Sequence, residues 1–174
     1  MEQTNSVSQT TQIHPVVKRV LTNRNIFEQH YDEFFSWNLR DLPDLTAHID
    51  LEKTALRIIS AMESGEKIGI YGDYDVDGTT SCALFFQFFK MHNIEVELFQ
   101  PSRFVEGYGV HPSSIELALE KGVKLLITVD CGITNCETAD FALEKGVDLI
   151  ITDHHKDIRD EMPKAYSIVN PNRR

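Results

Sequence analysis

The chain has 174 residues, with Lys+Arg 17 against Asp+Glu 27 and a formal net charge of −10. A hydrophobic fraction of 41% with 9 Gly and 6 Pro excludes disordered, collagen-like and low-complexity classes and suffices for one domain with a buried core. No window approaches the roughly 20 apolar residues needed to span a bilayer, and the acidity argues against broad electrostatic binding of nucleic acid by the chain as a whole.

Residues 1–14, MEQTNSVSQTTQIH, carry neither the basic nor the apolar region of a signal peptide and read as a flexible leader. Residues 15–64 read as an N-terminal helical arm packed on the remainder of the chain. Phe27, Tyr31, Phe34 and Phe35 fall at helical spacing and, with Trp37, read as core. Leu51, Ala55, Ile58, Ile59 and Met62 do so again after Asp50, an N-cap candidate. Asn38 to His48, containing Pro43, reads as a loop.

From Glu66 short apolar runs alternate with helical patterns. The expected strands are Lys67–Tyr71, Glu95–Phe99, Lys124–Val129, Asp148–Thr152 and Ser167–Val169. The expected helices are Gly78–Met91, Pro112–Lys121 and Asn135–Lys145. The runs IGIYG, LLITV and LIIT are continuous rather than alternating, as strands buried on both faces are. The fold class that this implies is α/β, a mostly parallel sheet with helices on both faces plus the helical arm. Leu84, Phe85, Phe86, Phe88, Phe89 and Met91 make helix 78–91 apolar on most sides, which predicts deep packing. One repeat, Ala118–Val123 recurring as Ala142–Val147 at a shift of 24, brings Asp130 onto His154 just past two strand ends. In open α/β sheets that edge binds ligands.

The chemistry gathers at the same edge. Asp73, Asp75 and Asp77 in GDYDVDG alternate on extended backbone and so face one way. Three such carboxylates repel unless a cation neutralises them, and hard oxygen donors suit Mg²⁺, Mn²⁺ or Ca²⁺. An EF-hand shares the spacing of the acids, but Leu84 stands where its bidentate Glu belongs and a strand precedes the loop. Asp130 in TVDCGI and Asp153-His154-His155 in ITDHH come after the next strands, and imidazole shifts the choice toward Mn²⁺ or Mg²⁺. Asp73, Asp75, Asp77, Asp130 and His154 suit two ions with Asp130 as the bridge, the arrangement for phosphoester hydrolysis. The helix opening Gly78-Thr79-Thr80-Ser81 offers N–H groups and hydroxyls to a phosphate. Arg103 in PSRFVEGYGV either clamps a phosphate or pairs with an acid such as Glu106. His92 and His111 read as structural. Cys82, Cys131 and Cys136 form no C-x-x-C and read as small buried apolar residues in a cytoplasmic protein.

GDYDVDG, VDCG and TDHH, in this order and each after a strand, resemble the DHH phosphoesterase superfamily. With PSRFVEGYG and IVNPNR they resemble its RecJ-type single-strand-specific DNA exonucleases, over Val16 to Arg174. The resemblance implies a nuclease with two Mn²⁺ or Mg²⁺ ions that degrades single-stranded DNA from the five-prime end in recombination and repair. It implies that Asp73, Asp75, Asp77, Asp130 and His154 ligate metal. Asp153 and His155 would orient His154 or touch the scissile phosphate, and Arg103 would match the family's Arg of this segment. Ser102 stands where the family usually has Asn. Residues 65–174 then correspond to a DHH catalytic domain that ends before the family's fourth motif and second domain. Alternatives are a DHH phosphodiesterase of oligonucleotides or cyclic dinucleotides, and a non-catalytic DHH-type replication scaffold.

Overall fold

The computed structural model describes residues 13–36, 38, 45–101, 107–156 and 161–173. The expectations for most of the leader, for Trp37 and for Arg103 fall outside these residues. The chain divides into two units, residues 1–44 and 45–174. In the first, α1 (Pro15–Asn23) has Pro at its start and the His14 ring accepting from Val16 N–H, and α2 (Tyr31–Phe34) is a single turn. Phe27, Phe34 and Phe35, expected in a core, are exposed, and Phe34 and Phe35 meet edge to face at 5.1 Å.

The second unit is built on five parallel strands, β1 (Ile68–Gly72), β2 (Val96–Phe99), β3 (Leu125–Val129), β4 (Asp148–Thr152) and β5 (Ser167–Val169), in the order β2-β1-β3-β4-β5. The continuous apolar runs are buried on both sides, as parallel strands between helical layers require. On one face α3 (Leu51–Ser64) and α4 (Val76–Met91) bring Ala61, Ile58, Met62, Phe85 and Phe89 onto Ile68, Ile70, Leu125, Ile127 and Ile150. On the other, α5 (Pro112–Glu120) and α6 (Cys136–Lys145) bring Ile115, Ala118, Ala139 and Ala142 onto Tyr71, Leu126, Leu149 and Ile151. No helix among the described residues is long and apolar enough to cross a membrane.

Four local readings change. Helix α3, grouped with the arm by its sequence, lies in the compact unit of the sheet. Arg57 on α3 ties it there, with Nε donating to Asp148 at 2.7 Å and Nη2 to Glu66 at 2.6 Å. Asp50 occupies the N-cap position of α3 but leaves the helix amides uncapped. Its Oδ2 instead accepts from Ile168 N–H and from Arg173 Nη1, at 3.2 and 2.8 Å. Helix α4 is not deeply packed: only one side meets the sheet, leaving Val76, Leu84 and Met91 about three-quarters exposed, at 75%, 73% and 75%. Finally, the ladder pairs Leu125 with Asp148 and Val129 with Thr152, a shift of 23 rather than the 24 of the repeat. Repeat-related Leu125 and Leu149 therefore lie on opposite faces of the sheet, because a slip of one residue turns a strand over.

Gly78, on the first turn of α4, lets that helix end come down on the loop after β1. A Cβ there would stand 2.4 Å from the Asp73 carbonyl oxygen and 2.6 Å from its nitrogen. Backbone atoms cannot swing aside, so Gly78→Ala is expected to destabilise the fold by about 1–3 kcal/mol, measurable as a lower urea midpoint.

Candidate metal centre

The ladder places Gly72, Val129 and Thr152 in one row. The residue after each is an aspartate: Asp73, Asp130 and Asp153, all nearly buried, at 1%, 7% and 7% exposure. They sit at the carboxyl edge beside the point where strand order reverses between β1 and β3, the place where open α/β sheets bind ligands.

The three carboxylates have different surroundings. Asp153 is saturated. Its Oδ1 accepts from the amides of His154 and His155 at 2.7 and 3.0 Å and lies 2.7 Å from His155 Nδ1, while Oδ2 accepts from Ile133 N–H at 3.0 Å. Burial opposes its charge, yet these bonds prevail and hold its pKa below the ordinary value. The same pairing keeps the His155 imidazole protonated to higher pH than usual, against the effect of its own burial. Asp73 accepts at Oδ1 from Tyr74 N–H at 2.8 Å. Asp130 has φ +61°, and neither of its buried carboxylate oxygens has a hydrogen-bond partner among the described residues. Burial first, then the Asp75 charge beside it, pushes its pKa up.

His154 Nε2 stands 2.9 Å from Asp130 Oδ1, a close approach outside hydrogen-bond geometry. One ligand atom each from Asp130, His154 and His155 lies within 4.8 Å of the others. Asp75 caps α4, its Oδ1 accepting from Gly78 N–H at 2.9 Å, and that bond above all lowers its pKa. Asp77 lines a cleft of about 350 Å³ together with Asp130, Asp153 and His154. A buried carboxylate without donors, a second acid beside it and two imidazoles form a donor set that a divalent cation fits, because only positive charge offsets both the desolvation and the repulsion.

The hydroxyls expected to face phosphate are partly committed. Thr80 Oγ1 donates to the Val76 carbonyl at 2.7 Å, so its proton is turned into the helix. Thr79 Oγ1 accepts from Gln100 Nε2 at 3.2 Å. Sequence reasoning missed Gln100, Asn170 and Asn172. Gln100 Nε2 also donates to the Asp73 carbonyl at 3.0 Å. Asn170 and Asn172 donate to the carbonyls of His155 and His154 at 2.9 and 2.6 Å, bracing the DHH turn. Their signal was present in the segment IVNPNR, two amides just past a strand end, but its partner lay elsewhere in the chain.

The two buried aspartates predict opposite outcomes. Asp130 has a raised pKa, so the stability it contributes is complete below the unfolded value and is lost as pH rises through the folded one. Asp130→Asn should therefore stabilise the metal-free chain by about 1 kcal/mol at neutral pH. Asp153 has a lowered pKa, so its stability is present above the unfolded value and lost as pH falls through the folded one. Asp153→Asn should destabilise the neutral chain by about 2–3 kcal/mol. Urea titrations at pH 7 and at a pH well below the ordinary aspartate range check both signs.

A family model described as "DHH family, N-terminal domain" matches residues 67–174. The single-stranded-DNA-specific exonuclease RecJ of Haemophilus influenzae is 36% identical over 169 residues, which are 97% of this chain and 28% of that protein. The crystal structure of exonuclease RecJ bound to manganese matches with a TM-score of 0.67 at 35% identity, covering 75% of this chain and 33% of that one. RecJ from Thermus thermophilus in complex with Mn²⁺ matches with a TM-score of 0.66 at 29% identity, covering 87% of this chain and 20% of that one. The chain thus spans about 28% of the length of the Haemophilus relative. An all-parallel sheet with acids after β1 and β3 and a DHH turn after β4, matched by that model over most of the sheet unit, makes this chain a member of the DHH family.

Proposed function

We propose that this chain is part of a RecJ-type catalytic core that hydrolyses single-stranded DNA from the five-prime end with two Mn²⁺ or Mg²⁺ ions, in recombination and repair in the cytoplasm. The observation that carries the reading is the Asp130 carboxylate, buried with no hydrogen-bond partner among the described residues and facing His154 at 2.9 Å. The relatives named for this activity and this metal supply the substrate class. The residues proposed to hold the ions are Asp73, Asp75, Asp77, Asp130 and His154. When bound, such ions polarise a phosphoryl oxygen and acidify a water.

The chain's own groups do the rest. Asp153 holds the His155 Nδ1 proton and fixes its ring, so that Nε2 faces the phosphate. Thr79 donates its hydroxyl to a phosphate oxygen, and the α4 amides add their dipole. Arg103, outside the described residues, is proposed as a guanidinium clamp on phosphate. Residues 65–174 carry this chemistry, with α3 in the same compact unit. Three free thiols suit the cytoplasm.

The test is Mn²⁺-dependent release of mononucleotides from single-stranded and duplex DNA. Single strands should be cut in preference, and Asp75→Ala and Asp130→Ala should each slow cleavage by about a thousandfold. Undiminished cleavage in both variants would sink the site. Calorimetry reads the same site without turnover: Mn²⁺ should bind, and Asp130→Ala should weaken it. Absence of Mn²⁺ binding to the wild-type chain overturns the proposal.

A further inference from the structure

Gln100 lies one residue past β2, outside every acidic and histidine motif, and its side chain ties three elements together. The β1–β2 ladder ends at the pair Tyr71 and Phe99. Beyond it the Gln100 side chain, in place of strand backbone, donates from Nε2 to the Asp73 carbonyl at 3.0 Å. The same nitrogen donates to Thr79 Oγ1, at the start of α4, at 3.2 Å. A carbonyl oxygen only accepts, so the amide must turn its nitrogen toward Asp73. That nitrogen has two protons, one for each bond.

The two acceptors bracket the turn that carries the acids. Asp73 precedes residues 74–78 and Thr79 follows them, and Asp75 and Asp77 lie between. The turn's own side-chain bonds are more local. Asp73 Oδ1 accepts from the next amide, that of Tyr74, and Asp75 Oδ1 from Gly78 N–H. Gln100 alone of these bonds the residue before the turn and the residue after it. Acids held this close repel one another and push such a turn open while no cation is bound. A bond across both ends opposes that opening.

We propose that Gln100 is a positioning residue, whose amide clasps the two ends of the acidic turn and so holds Asp75 and Asp77 in place before a cation arrives. This role rests on the proposed reading of those two acids as metal ligands. Gln100 acts through the Asp73 backbone and the Thr79 side chain rather than at the cation. Its effect is preorganisation: a turn already closed spends less of the binding free energy on closing.

The experiment compares the full chain with Gln100→Met, which keeps the length of the side chain and loses both donors. Gln100 is exposed, so the variant should fold with a metal-free urea midpoint close to that of wild type. Amide hydrogen exchange, read by NMR without metal, should quicken at Gly78, whose N–H is held by Asp75, and stay unchanged at Phe89 near the other end of α4. Calorimetry should show Mn²⁺ binding about fivefold more weakly, the loss expected from ordinary hydrogen bonds. Thr79→Val removes one of the two acceptors and should weaken binding less. Added to Gln100→Met it should weaken binding no further. Unchanged exchange at Gly78 overturns the clasp. Quicker exchange with unchanged Mn²⁺ affinity overturns the positioning role, as does a lowered urea midpoint with unchanged affinity, the mark of a merely structural bond. The exchange readout needs no metal. A wild type that binds no Mn²⁺ therefore counts against the metal centre, while the Gly78 amide still decides for or against the clasp.

Discussion

Parallel pairing of β1, β3 and β4 puts three aspartates in one row at one edge of the sheet. Pairing in register aligns Gly72, Val129 and Thr152, and each strand is followed at once by an acid. The strands cannot slide to relieve the crowding, because a slip of one residue would turn their apolar side chains out of the two helical layers. Burial of the core thus forces like charges together, and the chemistry of the site begins from that enforced proximity.

Each carboxylate resolves the crowding differently. Asp153 accepts three amides and faces one imidazole, so its charge is stabilised internally and serves to shape the DHH turn. Asp73 takes the amide of the residue after it. The Asp130 carboxylate receives no hydrogen bond from the described residues. Residue type and spacing are the same in all three cases, and the difference lies in which donors the surrounding loops bring. A fold that fully satisfies one aspartate and leaves its neighbour bare has separated a structural charge from one free to meet a cation.

Much of this was legible in the chain. The five strands lie within a residue of their expected bounds, because continuous apolar runs between turn signals admit few readings in a domain of this size. The acids after strand ends, and the grouping of Asp130 with His154, came from the same pattern. Other features were not legible, and each has a reason. The apolar girth of α4 announced burial, but burial depends on what is available to cover a helix, and only the Phe85 and Phe89 side meets the sheet. Asp50 has the residue type and position of a cap, yet Arg173, far away in the chain, takes its carboxylate. The repeat of 24 residues suggested equivalent strands, whereas the ladder runs at 23. His154, one residue past the aspartate row, nevertheless brings its Nε2 within 2.9 Å of Asp130.

By itself the sequence determined the class of fold, the edge that carries the chemistry and the family, since these depend on residue type, order and local period. The tertiary structure alone decided which acid is bare and which is saturated, that Thr80 spends its proton on its own helix, and that Gln100, Asn170 and Asn172 brace the site. Those are matters of donors meeting acceptors across long separations in the chain. No local period encodes such a meeting, and only the packing of the sheet against its helices brings the partners within hydrogen-bond reach.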